Sequence, residues 1–219
     1  MRNRTENQIN LILIRHGETP SNALGRYLGR TEEDLSEAGK EKLLLGKKAG
    51  KYPEADILFS SPMKRCRQTA GLLYEDSTPI LIEEWREMDF GRFEGKNYRE
   101  LNGDMQYQAW IDSNGELPFP DGEGREEFIL RCRKGLRKAL QKLAGYGMTE
   151  NGLIKTERTV QVQGLPVTAA AVIHGGSIMA LLSAYCGGDY FDYRCKNGEG
   201  YICCLMGCKE LSIEIIREL

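Results

Sequence analysis

Histidine is scarce in this chain, with only 2 among 219 residues. An excess of charge is missing too, since 30 Lys and Arg against 32 Asp and Glu leave a formal net charge of -2. So neutral a surface argues against broad electrostatic binding to nucleic acid or anionic membrane, and any anion site must be local. No apolar run reaches transmembrane length, and the stretch from Met1 to Gln8 lacks the apolar core of a signal peptide. The expectation is a cytoplasmic chain with no membrane partner. The 7 cysteines are odd in number and lack the spacing of a disulfide framework. Cys195, Cys203, Cys204 and Cys208 cluster, which raises the question of zinc. In a strand, however, Cys204 and Cys208 share a face with Ile202 and Met206 while Cys203 points the other way, so small core residues are the favoured reading and no metal is assigned.

What is present fits a folded chain. A hydrophobic fraction of 41% and a charged fraction of 28% are ordinary for a globular protein. The length predicts one domain over residues 1–219, with a polar tail at 1–8. Both histidines stand in the same setting. The run Leu11-Ile12-Leu13-Ile14 stops at Arg15-His16-Gly17, and Ala169 to Ile173 stops at His174-Gly175-Gly176. Each reads as a buried strand that carries an imidazole to its carboxyl end, where ligands bind in open α/β sheets.

Between them, strands alternate with helices. A helix is predicted from a Ser36 cap to Lys51, and strands over 56–60 and 79–83. Ser61-Pro62 predicts the start of a helix that places Arg65 in its first turn, where backbone amides and the guanidinium would form an anion pocket. The third strand leads into Glu84 to Gly91, which contains Glu87. Residues 91–124 read as short helices and loops forming a lid or side wall. Tyr98, Tyr107, Trp110, Glu116 and Phe119 would serve there either as specificity residues or simply as packing. A long helix from Arg125 to Ala144 carries Phe128, Cys132, Leu136, Leu140 and Leu143 on one face, a core stripe. A surface hairpin is expected over 145–166, a buried strand over 167–173, an apolar helix to about Cys186 and two closing strands near 201–206 and 211–216.

Strand–helix alternation predicts a three-layer α/β/α sandwich with a mostly parallel central sheet. On that model His16, Arg65, Glu87 and His174 converge at one edge. Each alone has a plain structural alternative: a strand-end hydrogen bonder, a solvated charge or a loop carboxylate. Two imidazoles, an arginine and a carboxylate together suit phosphoryl transfer, in which a neutral imidazole nitrogen attacks phosphorus and fixed cations balance the equatorial oxygens.

The ordered motifs Arg15-His16-Gly17-Glu18-Thr19 with Asn22, Ser60-Ser61-Pro62-Met63-Lys64-Arg65 with Gln68-Thr69-Ala70, Glu87-Met88-Asp89-Phe90-Gly91 with Glu94-Gly95, and His174-Gly175-Gly176 resemble the histidine phosphatase superfamily, in the branch that also holds the cofactor-dependent phosphoglycerate mutases. The resemblance implies that His16 is the nucleophile and that Arg15, Arg65 and His174 bind the phosphoryl oxygens with help from Asn22. It makes Glu87 the proton donor to the leaving group. It also implies the sandwich fold, chemistry without a metal ion or cofactor, and a small phosphorylated substrate. The stretch 145–166 is longer and more polar than usual, and the helix after Ser36 lacks the frequent Gln-Ala pair after Gly39. The short span from Met88 to Gly122 favours a phosphatase over a mutase, which would have to keep water off the phosphorylated enzyme. The mutase and a catalytically idle phospholigand-binding protein stay open as alternatives. The oligomeric state is left open, a homodimer being one option.

Overall fold

In the computed structural model, residues 9–143, 167–207 and 211–219 are described. The polar tail, the hairpin expected over 145–166 and Cys208 lie outside the described residues. The elements are β1 (Ile9–Arg15), α1 (Pro20–Ala23), α2 (Glu37–Lys48), β2 (Ile57–Ser60), α3 (Lys64–Leu73), β3 (Ile80–Leu81), α4 (Met105–Asp112), α5 (Arg125–Leu143), β4 (Val167–Ile173), α6 (Gly175–Cys186), β5 (Gly200–Gly207) and β6 (Leu211–Glu218).

Among the described residues six strands form one sheet in the order β3-β2-β4-β1-β5-β6. The first four pair in parallel and β5 runs antiparallel to both its neighbours, so the sheet is mixed but mostly parallel. Parallel strands are covered on both faces, which is why β1 and β4 read as unbroken apolar runs. The pleat divides β1 between two cores. Ile9, Leu11 and Leu13 pack with α5 and α6, whereas Ile12 and Ile14 pack with Leu43 of α2 and with Cys66, Ala70 and Leu73 of α3. The result is a three-layer α/β/α arrangement.

Cys203 packs in the first of these cores and Cys204 is buried, consistent with packing cysteines. The stripe on α5 also packs as read, with Phe128, Cys132, Leu136, Leu140 and Leu143 all buried. Fully buried Trp85, in a 3-10 turn over Glu83–Trp85, lies against Gly135 of that helix and donates its indole N–H to the Cys132 carbonyl at 3.2 Å. Residues 91–124 hold a 3-10 turn over Gly91–Phe93 and α4. Tyr107, Trp110 and Phe119 meet Tyr27 and Phe93 edge to face, with ring centroids 5.4 to 6.5 Å apart. These three aromatics hold the segment to the core, while Tyr98 and Glu116 are exposed.

Several boundaries differ from the sequence reading. The predicted helix after Ser36 stops at Lys48, and the third strand keeps only two residues before the chain enters the 3-10 turn. More consequentially, α3 begins at Lys64 after Met63, not at Pro62, and Ser61 does not cap it. The Ser61 hydroxyl accepts from Met63 N at 3.4 Å, ahead of the helix, and lies 2.8 Å from His174 Nε2.

Candidate active site

Register aligns the carboxyl ends of the parallel strands. Arg15 pairs with Ile173 and Ser60 with Val172, so the next residues are His16, His174 and Ser61 on three adjacent strands. The His16 amide donates to the Ile173 carbonyl at 2.9 Å and the Ser61 amide to the Val172 carbonyl at 3.0 Å. The two imidazoles meet edge to face, with centroids 5.2 Å apart.

His16 Nδ1 lies 2.7 Å from the Gly17 carbonyl oxygen. A carbonyl only accepts, so Nδ1 carries the proton and Nε2 keeps its lone pair. The turn itself is fixed: the Gly17 amide donates to Thr69 Oγ1 at 2.9 Å, and that hydroxyl donates to the Arg65 carbonyl at 2.8 Å. Burial, reinforced by the Arg65 and Arg15 guanidiniums, holds the His16 pKa well below the ordinary histidine value. The same burial and cations depress His174, whose Nε2 is 2.8 Å from Ser61 Oγ, with Cys66 Sγ at 3.5 Å. Both rings are therefore neutral near neutral pH.

Arg15 donates Nη1–H to the Cys195 carbonyl at 2.7 Å and leaves Nε buried with no partner among the described residues. Arg65 is wholly buried in the first turn of α3 and donates to the Thr31, Gly29 and Leu28 carbonyls at 2.9, 2.8 and 3.3 Å, with Nε again unpartnered among those residues. The backbone anion pocket expected at the start of α3 is not open, because the Lys64 amide donates to the Glu32 carboxylate at 2.7 Å. Two unpartnered buried guanidinium N–H groups are the feature a phosphoryl oxygen would satisfy.

Glu87 Oε1 accepts from its neighbour Met88 N at 2.9 Å and Oε2 from Gly176 N, in the first turn of α6, at 3.4 Å. Burial pushes its pKa above the usual carboxylate range, overriding those amides and the nearby Arg65 and Arg15. Thus Arg15, His16, Arg65, Glu87 and His174 gather at one edge. Asn22 stands beside them in a capping box with Thr19, its Oδ1 accepting from Thr19 N at 3.3 Å and from Asn197 Nδ2 at 3.0 Å.

Sequence reasoning missed Asn197, Ser61 as a partner of His174, and Tyr190. Asn197 also donates to the His16 carbonyl at 3.1 Å, and the Tyr190 hydroxyl donates to the Gly176 carbonyl at 3.3 Å. Asn197 lies 181 residues from His16, and no local pattern marks such a contact. The Ser61 signal was visible but pointed equally to a helix cap.

A family model for the histidine phosphatase superfamily (branch 1) matches residues 11–150. The chain is 33% identical over 138 residues to a phosphoserine phosphatase of Hydrogenobacter thermophilus, covering 61% of this chain and 65% of that protein. It is 29% identical over 154 residues to an adenosylcobalamin/alpha-ribazole phosphatase of Salmonella typhimurium, covering 68% of this chain and 74% of that protein. A 2,3-bisphosphoglycerate-dependent phosphoglycerate mutase of Thermobifida fusca is 34% identical over 128 residues, covering 53% of this chain and 51% of that protein. The match to phosphoserine phosphatases spans 60 to 65% of those proteins' length. Among solved structures, the alpha-ribazole phosphatase from Shigella flexneri superposes with a TM-score of 0.72 over 94% of this chain and 95% of that one. At 23% identity this likeness bears on the fold alone.

Proposed function

Because the chain belongs to branch 1 of the histidine phosphatase superfamily, we propose that it is a phosphomonoesterase that hydrolyses a small phosphorylated metabolite through a phosphohistidine on His16. The observation that carries this reading is the His16 ring, with Nδ1 tied to the Gly17 carbonyl at 2.7 Å and Nε2 left as a neutral nucleophile among buried cations. Nε2 attacks phosphorus and the ester P–O bond breaks. The Arg15 and Arg65 guanidiniums balance the charge on the equatorial oxygens, with neutral His174 and the Asn22 amide as further hydrogen-bond donors. Glu87, whose pKa burial raises, gives its proton to the leaving alkoxide. The resulting carboxylate then takes a proton from water as that water attacks phosphorus; the P–N bond breaks, phosphate leaves and Nε2 regains its lone pair, which restores both residues.

None of these steps calls for a metal ion. Relatives named as phosphatases, aligned over 61% and 68% of the chain, support the reading as a hydrolase. Phosphate release should be measured with EDTA present on phosphoserine, α-ribazole phosphate and phosphoglycerate, for wild type and His16→Ala. Release by wild type alone, with acid-labile phosphate on the wild-type protein, is the expected result. Interconversion of phosphoglycerates without release would mean a mutase. Normal turnover by His16→Ala would refute the mechanism.

A further inference from the structure

The loop that carries Glu87 is held by a charge pair that the chemistry so far leaves unused. Residues 86–90 belong to neither helix nor strand, so no ladder fixes the carboxyl there. Arg131, inside α5, reaches this loop from the side. Its Nη1 donates to the Glu84 carbonyl at 2.9 Å and the Arg86 carbonyl at 2.8 Å, and its Nη2 donates to the carbonyl of Glu87 itself at 3.2 Å. The remaining donors go to Glu123, Nε to Oε1 at 2.8 Å and Nη2 to Oε2 at 2.6 Å. An arginine has five N–H donors, and here all five are used. Glu123 grips the other end of the same loop: its Oε2 accepts from Asp89 N at 3.4 Å and its amide donates to the Asp89 carbonyl at 2.9 Å.

We infer that Arg131 and Glu123 are positioning residues for the acid step, a clamp that sets where the Glu87 carboxyl sits against the bound phosphate ester. This rests on the proposal that Glu87 is that acid. Stability alone is a weak reason to keep such a pair, because desolvating two charges offsets their attraction and an apolar pair would fill the same space. The Glu123 side chain is only 7% exposed and the Arg131 side chain 23%, so the desolvation is substantial. Orientation is what the fork geometry supplies. The planar guanidinium fixes the directions of three carbonyls, those of Glu84, Arg86 and Glu87, at the start of the acid's loop, and a lysine, a point charge on a flexible stem, cannot reproduce that. A proton transfer depends on hydrogen-bond-range placement of the donor, so a small shift of the loop falls on the step that needs the acid.

The test compares kcat/KM for β-glycerophosphate, whose alkoxide needs a proton, with that for nitrophenyl phosphate, whose leaving group hardly does. This parameter reports the first transfer without the later attack of water. Variants are Arg131→Lys, Glu123→Gln and Glu87→Gln, plus each of the first two combined with Glu87→Gln. Expected are losses of roughly 10- to 100-fold on β-glycerophosphate with changes under about 3-fold on nitrophenyl phosphate, and no further loss in the Glu87→Gln background. Glu123→Gln keeps its volume and one acceptor, so it carries the test if Arg131→Lys fails to fold, with folding judged by circular dichroism and thermal melting. Equal losses on both esters in a folded variant, or a full additional loss in the Glu87→Gln background, would overturn the clamp. If Glu87→Gln alone shows no difference between the esters, the acid assignment fails first and takes the clamp with it.

Discussion

At the scale of single residues, burial sets the protonation of the site. His16 and Glu87 are displaced in opposite directions from their ordinary pKa values, each with desolvation as the largest cause. A nucleophile depressed below the ordinary histidine value stays unprotonated as pH falls past it, and an acid raised above the ordinary carboxylate value stays protonated as pH rises past it. Under the proposed mechanism, kcat/KM on an alkyl phosphate falls at low pH as His16 takes a proton and at high pH as Glu87 loses one. Nitrophenyl phosphate keeps the first limb and loses the second. A pH–rate comparison of the two esters checks this, and identical alkaline limbs would speak against Glu87 as the acid. Glu87→Ala should accordingly cost about 100- to 10,000-fold on the alkyl ester and far less on the nitrophenyl ester.

At the scale of elements, what matters is how closely α5 approaches the segment before Glu87. Gly135 sits mid-helix, where glycine costs about 1 kcal/mol relative to alanine. A Cβ there would come within 2.6 Å of Trp85 Cδ1 and Nε1. The ring is fully buried and hydrogen-bonded to the Cys132 carbonyl, so it cannot step aside cheaply. Gly135→Ala is therefore expected to destabilise by about 1–3 kcal/mol despite its better helix propensity, read from urea unfolding. A stabilised variant would mean that α5 shifts without strain. The same packing brings Arg131 to the Glu84, Arg86 and Glu87 carbonyls.

At the scale of the whole molecule, burying neutral imidazoles ties the fold to pH. Unfolded histidines bind protons below about pH 6.5, whereas His16 and His174 in the fold do so only at lower pH. The unfolded state then takes up more protons, so stability falls as pH drops from about 6.5 toward the folded values, by up to about 1.4 kcal/mol per pH unit for each ring. Glu87 opposes this, because its raised folded pKa lets the native state bind a proton that the unfolded chain releases. Two imidazoles against one carboxyl leave a net loss on acidification, seen as a lower urea midpoint at pH 5.5 than at pH 7. The double variant His16→Gln with His174→Gln should flatten that difference, and an unchanged slope would place its origin elsewhere.

The sequence by itself determined the strands of the sheet and the carboxyl ends of β1 and β4. Apolar runs such as Leu11 to Ile14 cannot be solvated, and the glycines that follow let the chain turn where His16 and His174 appear. The proposed nucleophile, acid and phosphate-binding positions were legible too, because each lies in a short local motif, at a strand end for Arg15, His16 and His174 and in a helix or loop for Asn22, Arg65 and Glu87. Only the tertiary structure decided which side chains hold those residues. Ser61 reads in sequence as a helix cap but lies 2.8 Å from His174 Nε2, while Asn197 and Arg131 act on groups 181 and 44 to 47 residues away. The physical reason is range. Burial and backbone propensity are written locally in residue types and periodicity, whereas a hydrogen-bond partner is chosen by whichever donor the packed layers bring within about 3 Å.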